Sequence, residues 1–514
     1  MTHAAPVPPV PLRFLPRLGR HQLDACIGLG LALASAVLGF ANLTGSPGLA
    51  EDEGTYTAQA FAAFDGRLAP YTYWYDHPPV GWLSMALPAW LLHAIGLPDG
   101  TFIGAARGVA VLATALSVFL LYRLSRLLRL RRGAAILGCL LLVLSPLSGA
   151  LLRQAYLDVI ALPWLLGAFV LLFSPRSALW PHILAGVCFA LAVLTKETTA
   201  LAGPALLVAL MHRKRWSTRT FSVVGFLAAG ALTLSFYPLM ALLRGELLHG
   251  SDKVSLQDAL AYQFLTRSGS GGLFEAGSAR QELLGSWWAQ DPWLLGLGPL
   301  GALIALARRS RRWMLVYLVF AAAPLVLGSG YLPAMYIIAS LPFLALGAAA
   351  GADAAWGLAR RRLALDGAKQ ARVRRALGAL ACLTALSVTS QHWAPALTQR
   401  LSEDANADWR RALEYVQTQV PTEDTVLVPY SMWQDVASTR GNDPWRVIVT
   451  EKLDLDSAFA THHPQGWRGV KWVVVGPIVT QNIEHLGLTG AGAAVEHSEA
   501  VASFGAWSVR RVTG

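Results

Sequence analysis

Residues 103–132 read IGAARGVAVLATALSVFLLYRLSRLLRLRR. Twenty predominantly apolar residues, 103–122, are followed at once by Arg123, Arg126, Arg129, Arg131 and Arg132. A bilayer-spanning helix needs about 17–25 such residues, and loops on the cytoplasmic side collect Lys and Arg. This stretch predicts a membrane span whose C-terminal end faces the cytoplasm.

The rest of the chain follows the same pattern. Of its 514 residues, 54% are hydrophobic and 14% charged, where a soluble domain carries about 25% charged residues. Eleven spans are expected, near 23–43, 103–122, 133–149, 157–173, 180–195, 198–211, 220–242, 293–307, 313–328, 331–350 and 376–391. Basic residues cluster in the tail (Arg13, Arg17, Arg20), at Arg213, Lys214, Arg215 and Arg219, and at Arg308, Arg309, Arg311 and Arg312. A further cluster runs from Arg360 to Arg375. With Arg176, the tail and these alternate connections hold 24 of the 42 Lys and Arg. Residues 44–100 contain six acids and one Arg. The N-terminus is therefore expected to be cytoplasmic, and an odd span count puts residues 392–514 outside. The net charge of +11 is then a topology signal, and no nucleic-acid partner is expected.

Residues 81–97 (GWLSMALPAWLLHAIGL) are apolar, but a span there would force the Arg-rich 123–132 connection outside. They are expected to lie in the membrane interface. The first span reads as a retained anchor, with a cleaved signal peptide as the alternative. Cys26, Cys139, Cys188 and Cys382 all sit in apolar segments without metal-ligand spacing, so they read as small core residues.

The expected architecture is a polytopic α-helical membrane domain over 1–391 and a C-terminal extracytoplasmic α/β domain over 392–514. Outer loops are expected at 44–102 and 243–291. The second contains SGSGG at 268–272 and reads as mobile. In the C-terminal domain, 406–419 has helical spacing of Trp409, Leu413 and Val416. TVLVPY (425–430), RVIVT (446–450) and VKWVVVG (470–476) read as buried, mainly parallel strands.

Chemistry concentrates in the first outer loop. Glu51, Asp52 and Glu53 are adjacent carboxylates, which repel and could raise one pKa or hold a divalent cation; a solvated loop is the plainer alternative. Tyr71, Tyr73, Trp74 and Tyr75 lead into Asp76, His77, Pro78 and Pro79. Aromatics suit the headgroup level, a sugar face or an isoprenoid tail. Lys196 and Glu197 interrupt an apolar run, dividing it into two short helices with their junction outside. Charges near membrane depth are expensive and point to function, against a local ion pair. Arg153 and Asp158 flank another outer turn, where a structural salt bridge is the alternative. Tyr331 and Tyr336 stand on a late span, suited to interfacial anchoring or to a carrier lipid.

DExxY after the first span, followed by a D/E-H/K-P-P turn, resembles the GT-C glycosyltransferases. The nearest groups are the protein O-mannosyltransferases and the lipid A aminoarabinose transferase. Here the matching residues are Asp52, Glu53, Tyr56, Asp76, His77, Pro78 and Pro79. RQAYLD (153–158), TKETT (195–199) and YLPAMYIIASLP (331–342) are similar to segments of those families. ADWRRALEYVQTQVPTEDTVLV and EKLDLD (451–456) resemble the outer domain of actinobacterial-type members. The resemblance implies a plasma-membrane enzyme of the cell envelope that transfers a sugar from a polyprenyl-phosphate donor to a lipid, glycan or protein hydroxyl, with inversion. Asp52 becomes the general base and Glu53 its partner. His77, Arg153, Lys196, Tyr331 and Tyr336 become donor phosphate and lipid contacts; Tyr56, Asp76, Asp158 and Glu197 become substrate contacts. Some relatives place Lys where this chain has His77, whose charge depends on pH. A transporter or flippase is the rival class, but neither related halves nor charges deep in mid-span appear in the sequence.

Overall fold

The computed structural model describes residues 19–174, 178–211, 216–250, 253–306, 311–362, 387 and 390–513. The Arg13 and Arg17 tail, Arg176, Arg213 to Arg215, Arg308 and Arg309, the basic cluster from Lys369 to Arg375, Cys382 and nearly all of the 376–391 span lie outside these residues.

The apolar runs form helices. In chain order these are α1 (Arg20–Phe40), α2 (Glu51–Ala62), α3 (Val80–Ala94), α4 (Phe102–Leu127), α5 (Arg132–Leu144), α6 (Pro146–Leu151), α7 (Leu157–Leu172), α8 (Trp180–Thr195), α9 (Gly203–Met211), α10 (Trp216–Leu234) and α11 (Phe236–Leu243). Later come Pro292–Ala305, Arg312–Leu327 and Leu341–Arg362. Among the described residues, four helical stretches are long and apolar enough to cross a membrane unaided: His21–Phe40, Phe102–Leu127, Thr218–Leu243 and Ala334–Leu358. The other apolar helices are shorter, so the expected count of eleven does not follow from length alone. Large apolar side chains face outward, among them Leu29, Leu33 and Val37 on α1 and Phe221, Val224 and Leu232 on α10. Contiguous exposed apolar surface of this kind fits acyl chains rather than water. Helix α3 buries Trp82, Met85 and Ala89 while Leu83, Leu87 and Trp90 point outward, a one-sided apolar exposure that fits an interfacial position.

Charges sort along the bundle axis. At one end Arg126 and Arg132 pair with Asp24, and Arg131 and Arg311 with Asp353. The opposite end of α4 starts at Phe102, whose N–H donates to Asp435 of the C-terminal domain. The basic end and the C-terminal domain therefore lie at opposite ends of this helix.

The C-terminal domain holds a five-stranded sheet in the order β2-β1-β3-β5-β4. β1 (Val426–Val428), β2 (Val447–Val449) and β3 (Trp472–Val475) are the expected parallel strands. β4 (Ser498–Phe504) and β5 (Trp507–Val512) add an antiparallel hairpin that the sequence reading did not foresee. Their solvent-facing alternation, SEAVASF and WSVRRV, lacks the continuous apolar run of the buried strands. Gly505 turns the hairpin at φ +56°, and a Cβ there would collide with Asp408.

The boundary at 391/392 is crossed by the core itself. Ala58, Tyr71 and Ile103 of the membrane part pack with Trp409, Val428, Trp433 and Val449 in one cluster. The Tyr71 hydroxyl accepts from Trp433 Nε1 at 3.0 Å and from Val449 N–H at 3.1 Å, and donates to Val447 O at 2.7 Å. Outer loop 44–102 and the C-terminal domain thus form one packed unit.

Candidate active site

The stretch EDEGTY is not a loop but the first turns of α2. Three acids in a first turn are favoured by the partial positive charge of the helix N-terminus. Successive helical residues do not share a face, so the three carboxylates diverge. Glu51 turns to the C-terminal domain, accepting from Ser431 N–H at 3.2 Å and Ser431 Oγ at 2.8 Å. Burial, followed by the charge of Glu451, pushes its pKa up to about 8. Glu53 turns into the bundle, fully buried. It accepts from Arg107 Nε at 2.8 Å and Nη2 at 2.7 Å, from Gln154 Nε2 and Ala50 N–H, each at 3.1 Å, and from Ala155 N–H at 2.9 Å. A carboxylate offers about four lone-pair positions, so none remains for substrate. Asp52 alone faces open space.

Two expectations change accordingly. The three acids do not share a cation, and no group of three or more metal-ligating side chains occurs among the described residues. Glu53, expected beside Asp52 in the chemistry, is turned away from it and bound to Arg107, Gln154 and the Ala155 N–H. Arg107, one turn inside a predicted span, was the missed signal: a lone Arg there needs a buried anion.

Across the cleft from Asp52 lies a chain of charges. Lys196 ends α8 in extended backbone (φ −148°, ψ 114°), and the chain resumes as a 3₁₀ turn over Glu197–Ala202 before α9. The two short helices part from this junction: α8 packs on α7 and α10, while α9 packs on Arg312–Leu327. The Lys196 ammonium, 3% exposed, lies 3.2 Å from His77 Nε2 and 3.9 Å from Asp158. His77 Nδ1 is 3.1 Å from Glu197. An ammonium can only donate and a carboxylate only accept. The network thus assigns the His77 proton to Nδ1, donating to Glu197, with Nε2 accepting from Lys196. Both ring nitrogens are engaged, which leaves no imidazole donor for a phosphate in this arrangement.

Electrostatics tie Asp52 to this chain. Burial by surrounding protein raises the Asp52 pKa; Lys196, His77 and Arg267 oppose the rise and Asp76 adds to it. Carboxylate neighbours outweigh burial at Lys196 and raise its pKa, so the ammonium stays charged. Glu197 is lowered to about 2: burial acts upward, but His77 and Lys196 dominate. Asp76 is partly exposed, and no hydrogen bond engages its carboxylate among the described residues. The Tyr56 ring stands 5.9 Å from His77. Asp158 is buried, its oxygens without a hydrogen bond among the described residues, leaving the Lys196 charge as its counterpart.

Other expected residues fall elsewhere. Arg153 is 3% exposed and donates to Ala41 O at 2.6 Å. Its pKa is lowered to about 9 by burial and then by Arg400 and Arg107. It belongs to the far side of the Glu53–Arg107 pair, not to the Lys196 set. The Tyr336 hydroxyl donates to Ala321 O at 3.2 Å inside the bundle. Tyr331 is half exposed and lies under the Arg267 guanidinium, 3.6 Å from ring centre to Cζ. That brings Arg267 of the 243–291 segment, whose charge also acts on Asp52, onto Tyr331. The segment's Gly/Ser run is pinned by Arg280, which donates to Gly271 O, Pro324 O and Gly330 O at 2.6–2.8 Å.

The C-terminal domain contributes groups that the sequence reading missed. Lys452 Nζ lies 3.0 Å from the Trp74 ring centre, and burial lowers its pKa to about 8. Asp456 accepts from Thr72 N–H and Oγ1. A Cβ on Gly54 would collide with the Tyr430–Ser431 backbone, so glycine allows α2 and the domain to meet. The turns after β1 and β2 therefore face the same loop as Asp52 and Asp76.

Comparison with known proteins places the fold. The model of the family described as dolichyl-phosphate-mannose-protein mannosyltransferase matches residues 76–240, which include the DHPP turn, RQAYLD and TKETT. No curated protein matches the chain in sequence. Among solved structures, ArnT from Cupriavidus metallidurans bound to undecaprenyl phosphate superposes with a TM-score of 0.59 at 15% identity, covering 95% of this chain and 98% of that one. The Archaeoglobus fulgidus oligosaccharyltransferase gives 0.56 at 11% identity, over 92% and 71%. The mycobacterial arabinofuranosyltransferase AftD gives 0.53 at 16%, over 97% and 40%. The chain thus shares the fold of these three glycosyltransferases and carries the mannosyltransferase family pattern over residues 76–240.

Proposed function

We propose that the chain transfers a sugar, hexosyl or pentosyl, from a polyprenyl-phosphate carrier to an acceptor hydroxyl, with inversion and on the extracytoplasmic side. One observation carries the reading: Asp52, the one acid of its trio open to the cleft, faces the Lys196–His77–Glu197 network across it. ArnT with undecaprenyl phosphate and an oligosaccharyltransferase with dolichol-phosphate share the fold, which supports a lipid-phosphate donor.

Asp52 accepts the proton of the acceptor hydroxyl as that oxygen bonds to the anomeric carbon. The bond from that carbon to the carrier's phosphate oxygen breaks on the opposite face, and the electron pair leaves with the phosphate. Its charge is met by Lys196 and, from the second outer loop, Arg267. A raised carboxylate pKa suits the base, because basicity near the working pH favours proton transfer. Asp76, Tyr56 and Glu197 border the sugar position, and Asp158 keeps Lys196 charged. The network orders His77 behind Lys196 rather than at the phosphate. Glu53 and Arg107 fix the pitch of α2.

The topology belongs to the same proposal: eleven spans, a cytoplasmic N-terminus in the plasma membrane, a membrane domain over 1–391 and an outer domain over 392–514. The basic end of α4, opposite the C-terminal domain, supports it.

The test is Asp52→Asn in the full chain, assayed in membranes with a polyprenyl-phosphate sugar. Transfer should fall roughly 10²–10⁴-fold, the range for a lost general base, with expression and melting temperature kept. Full activity would overturn the assignment. A reporter at the C-terminus should give an extracytoplasmic signal.

A further inference from the structure

We propose that a single chloride-sized anion occupies a small cavity between Arg153 and Arg400, fastening the helix that enters the C-terminal domain to the membrane bundle. This site is separate from the Asp52 cleft and does not depend on the proposed reaction.

The cavity has a volume of about 30 Å³ and is lined by Ser35, Thr114, Ser148, Gly149, Arg153 and Arg400, among others. A cavity needs about 10–15 Å³ to hold one water, so there is room for one or two water-sized particles and not for an organic ligand. Its polar groups are unusual in kind. Arg153 Nε and Nη1, Arg400 Nε and Nη2 and the Ser148 hydroxyl are all buried with no partner among the described residues. Arg153 is 3% exposed, and its remaining nitrogen, Nη2, is committed to Ala41 O. Five such donors belong to residues that line the cavity, four of them on guanidinium groups, and no carboxylate is among the lining residues.

Burying a charged group without an opposite charge is among the costliest arrangements in a protein. Two guanidiniums sharing one enclosed space repel as well. A water would relieve little of this: it accepts two hydrogen bonds at most and brings no charge. A monatomic anion fits the volume, accepts from every direction and cancels one positive charge. The path in is visible. Arg400 and Gly149 also border a cleft of about 480 Å³ shared with His392 and Glu403, and Gly149 lets the guanidinium pass, since a Cβ there would collide with it.

Bound anion would link residues distant in sequence. Arg153 follows α6, Ser148 lies within it, and Arg400 lies in the helical stretch 390–402. A ligand that binds only the folded state stabilises it in proportion to the logarithm of its concentration over Kd.

The experiment uses the purified full chain in detergent, with melting followed in sodium chloride and in sodium gluconate at equal ionic strength and pH. Replacing chloride by gluconate should lower the melting temperature by several degrees, and millimolar bromide should restore it. Bromide-soaked crystals should show one anomalous peak between Arg153 and Arg400. Arg400→Met should abolish the halide response, and Ser148→Ala should weaken it. Equal melting in the two salts, with no bromide peak, would mean that water alone fills the cavity and would overturn the proposal. A halide response unchanged in Arg400→Met would overturn it too. The comparison of salts on the unaltered chain decides the matter even if the Arg400→Met variant fails to fold.

Discussion

Lys196 Nζ stands 3.2 Å from His77 Nε2 and 3.9 Å from a carboxylate oxygen of Asp158. The lysine thus links His77 to the buried carboxylate of Asp158. Removing Lys196 alone leaves Asp158 buried and without its counter-charge, which costs about 3–5 kcal/mol. Lys196→Met should therefore lose both stability and transfer. The double variant Lys196→Met/Asp158→Asn removes both charges and should recover most of the melting temperature while remaining inactive. Recovery of transfer in the double variant would show that the lysine has no role at the leaving phosphate.

Transfer should also be limited by acid in a definite direction. The proposed base works only when ionised, and burial raises the Asp52 pKa from its ordinary value. The rate should then fall, as pH is lowered, at a pH above that expected for an exposed aspartate of about 3.9. Asp52→Glu should retain some activity and move this acid limb. A limb unmoved by that substitution would assign it to another group.

The pairing of Glu53 with Arg107 tests whether the DE motif is one catalytic unit or two separate tasks. Glu53→Gln cannot accept both guanidinium bonds, and it leaves Arg107 buried without an opposite charge. The expected loss is about 3–5 kcal/mol, read as poor expression and a lowered melting temperature. Asp52→Asn, by contrast, should fold normally. If Glu53→Gln folds as well as the parent but is inactive, the carboxylate acts in the chemistry after all.

The difference between these neighbouring acids marks where the sequence stopped being legible. The apolar helices, the break in helix at Lys196 and the three parallel strands could be read, because each rests on a local cost: apolar length, a charge inside an apolar run, a continuous apolar strand. The directions of Glu51, Asp52 and Glu53 could not. They depend on a helix starting at Glu51, and a turn of 100° per residue sends adjacent side chains to different neighbours. The same holds for RQA at 153–155. Gln154 and the Ala155 N–H support Glu53, while Arg153 points to Arg400. Spacing identified the segment but not which side chain faces the cleft. The parts played by Tyr430, Ser431 and Lys452 arise from contacts across nearly 400 residues, for which one sequence holds no signal.

Gly54 offers a test of how far the C-terminal domain is part of the active site. A methyl group there would meet the backbone of Tyr430 and Ser431, which cannot move aside like a flexible side chain. Gly54→Ala should loosen the domain from α2, increasing protease cleavage around 392–406 and reducing transfer several-fold without unfolding the bundle.

The contact beside Gly54 is also pH-sensitive. The Glu51 pKa is raised by burial and by Glu451 to about 8, against about 4.3 in an unfolded chain. A raised folded-state value means that the folded form binds the proton more tightly. The stabilising contribution is complete below about pH 4 and declines as pH rises through 8. Docking of the C-terminal domain should therefore weaken across this window. Glu51→Gln keeps an oxygen for Ser431 and cannot ionise, so it should flatten the dependence and raise stability at pH 8 by roughly 4–5 kcal/mol at most. Melting curves of both forms from pH 5 to 9 measure this directly. Parallel curves over that range would mean that Glu51 is already charged in the folded protein, with Ser431 alone sufficient to hold it.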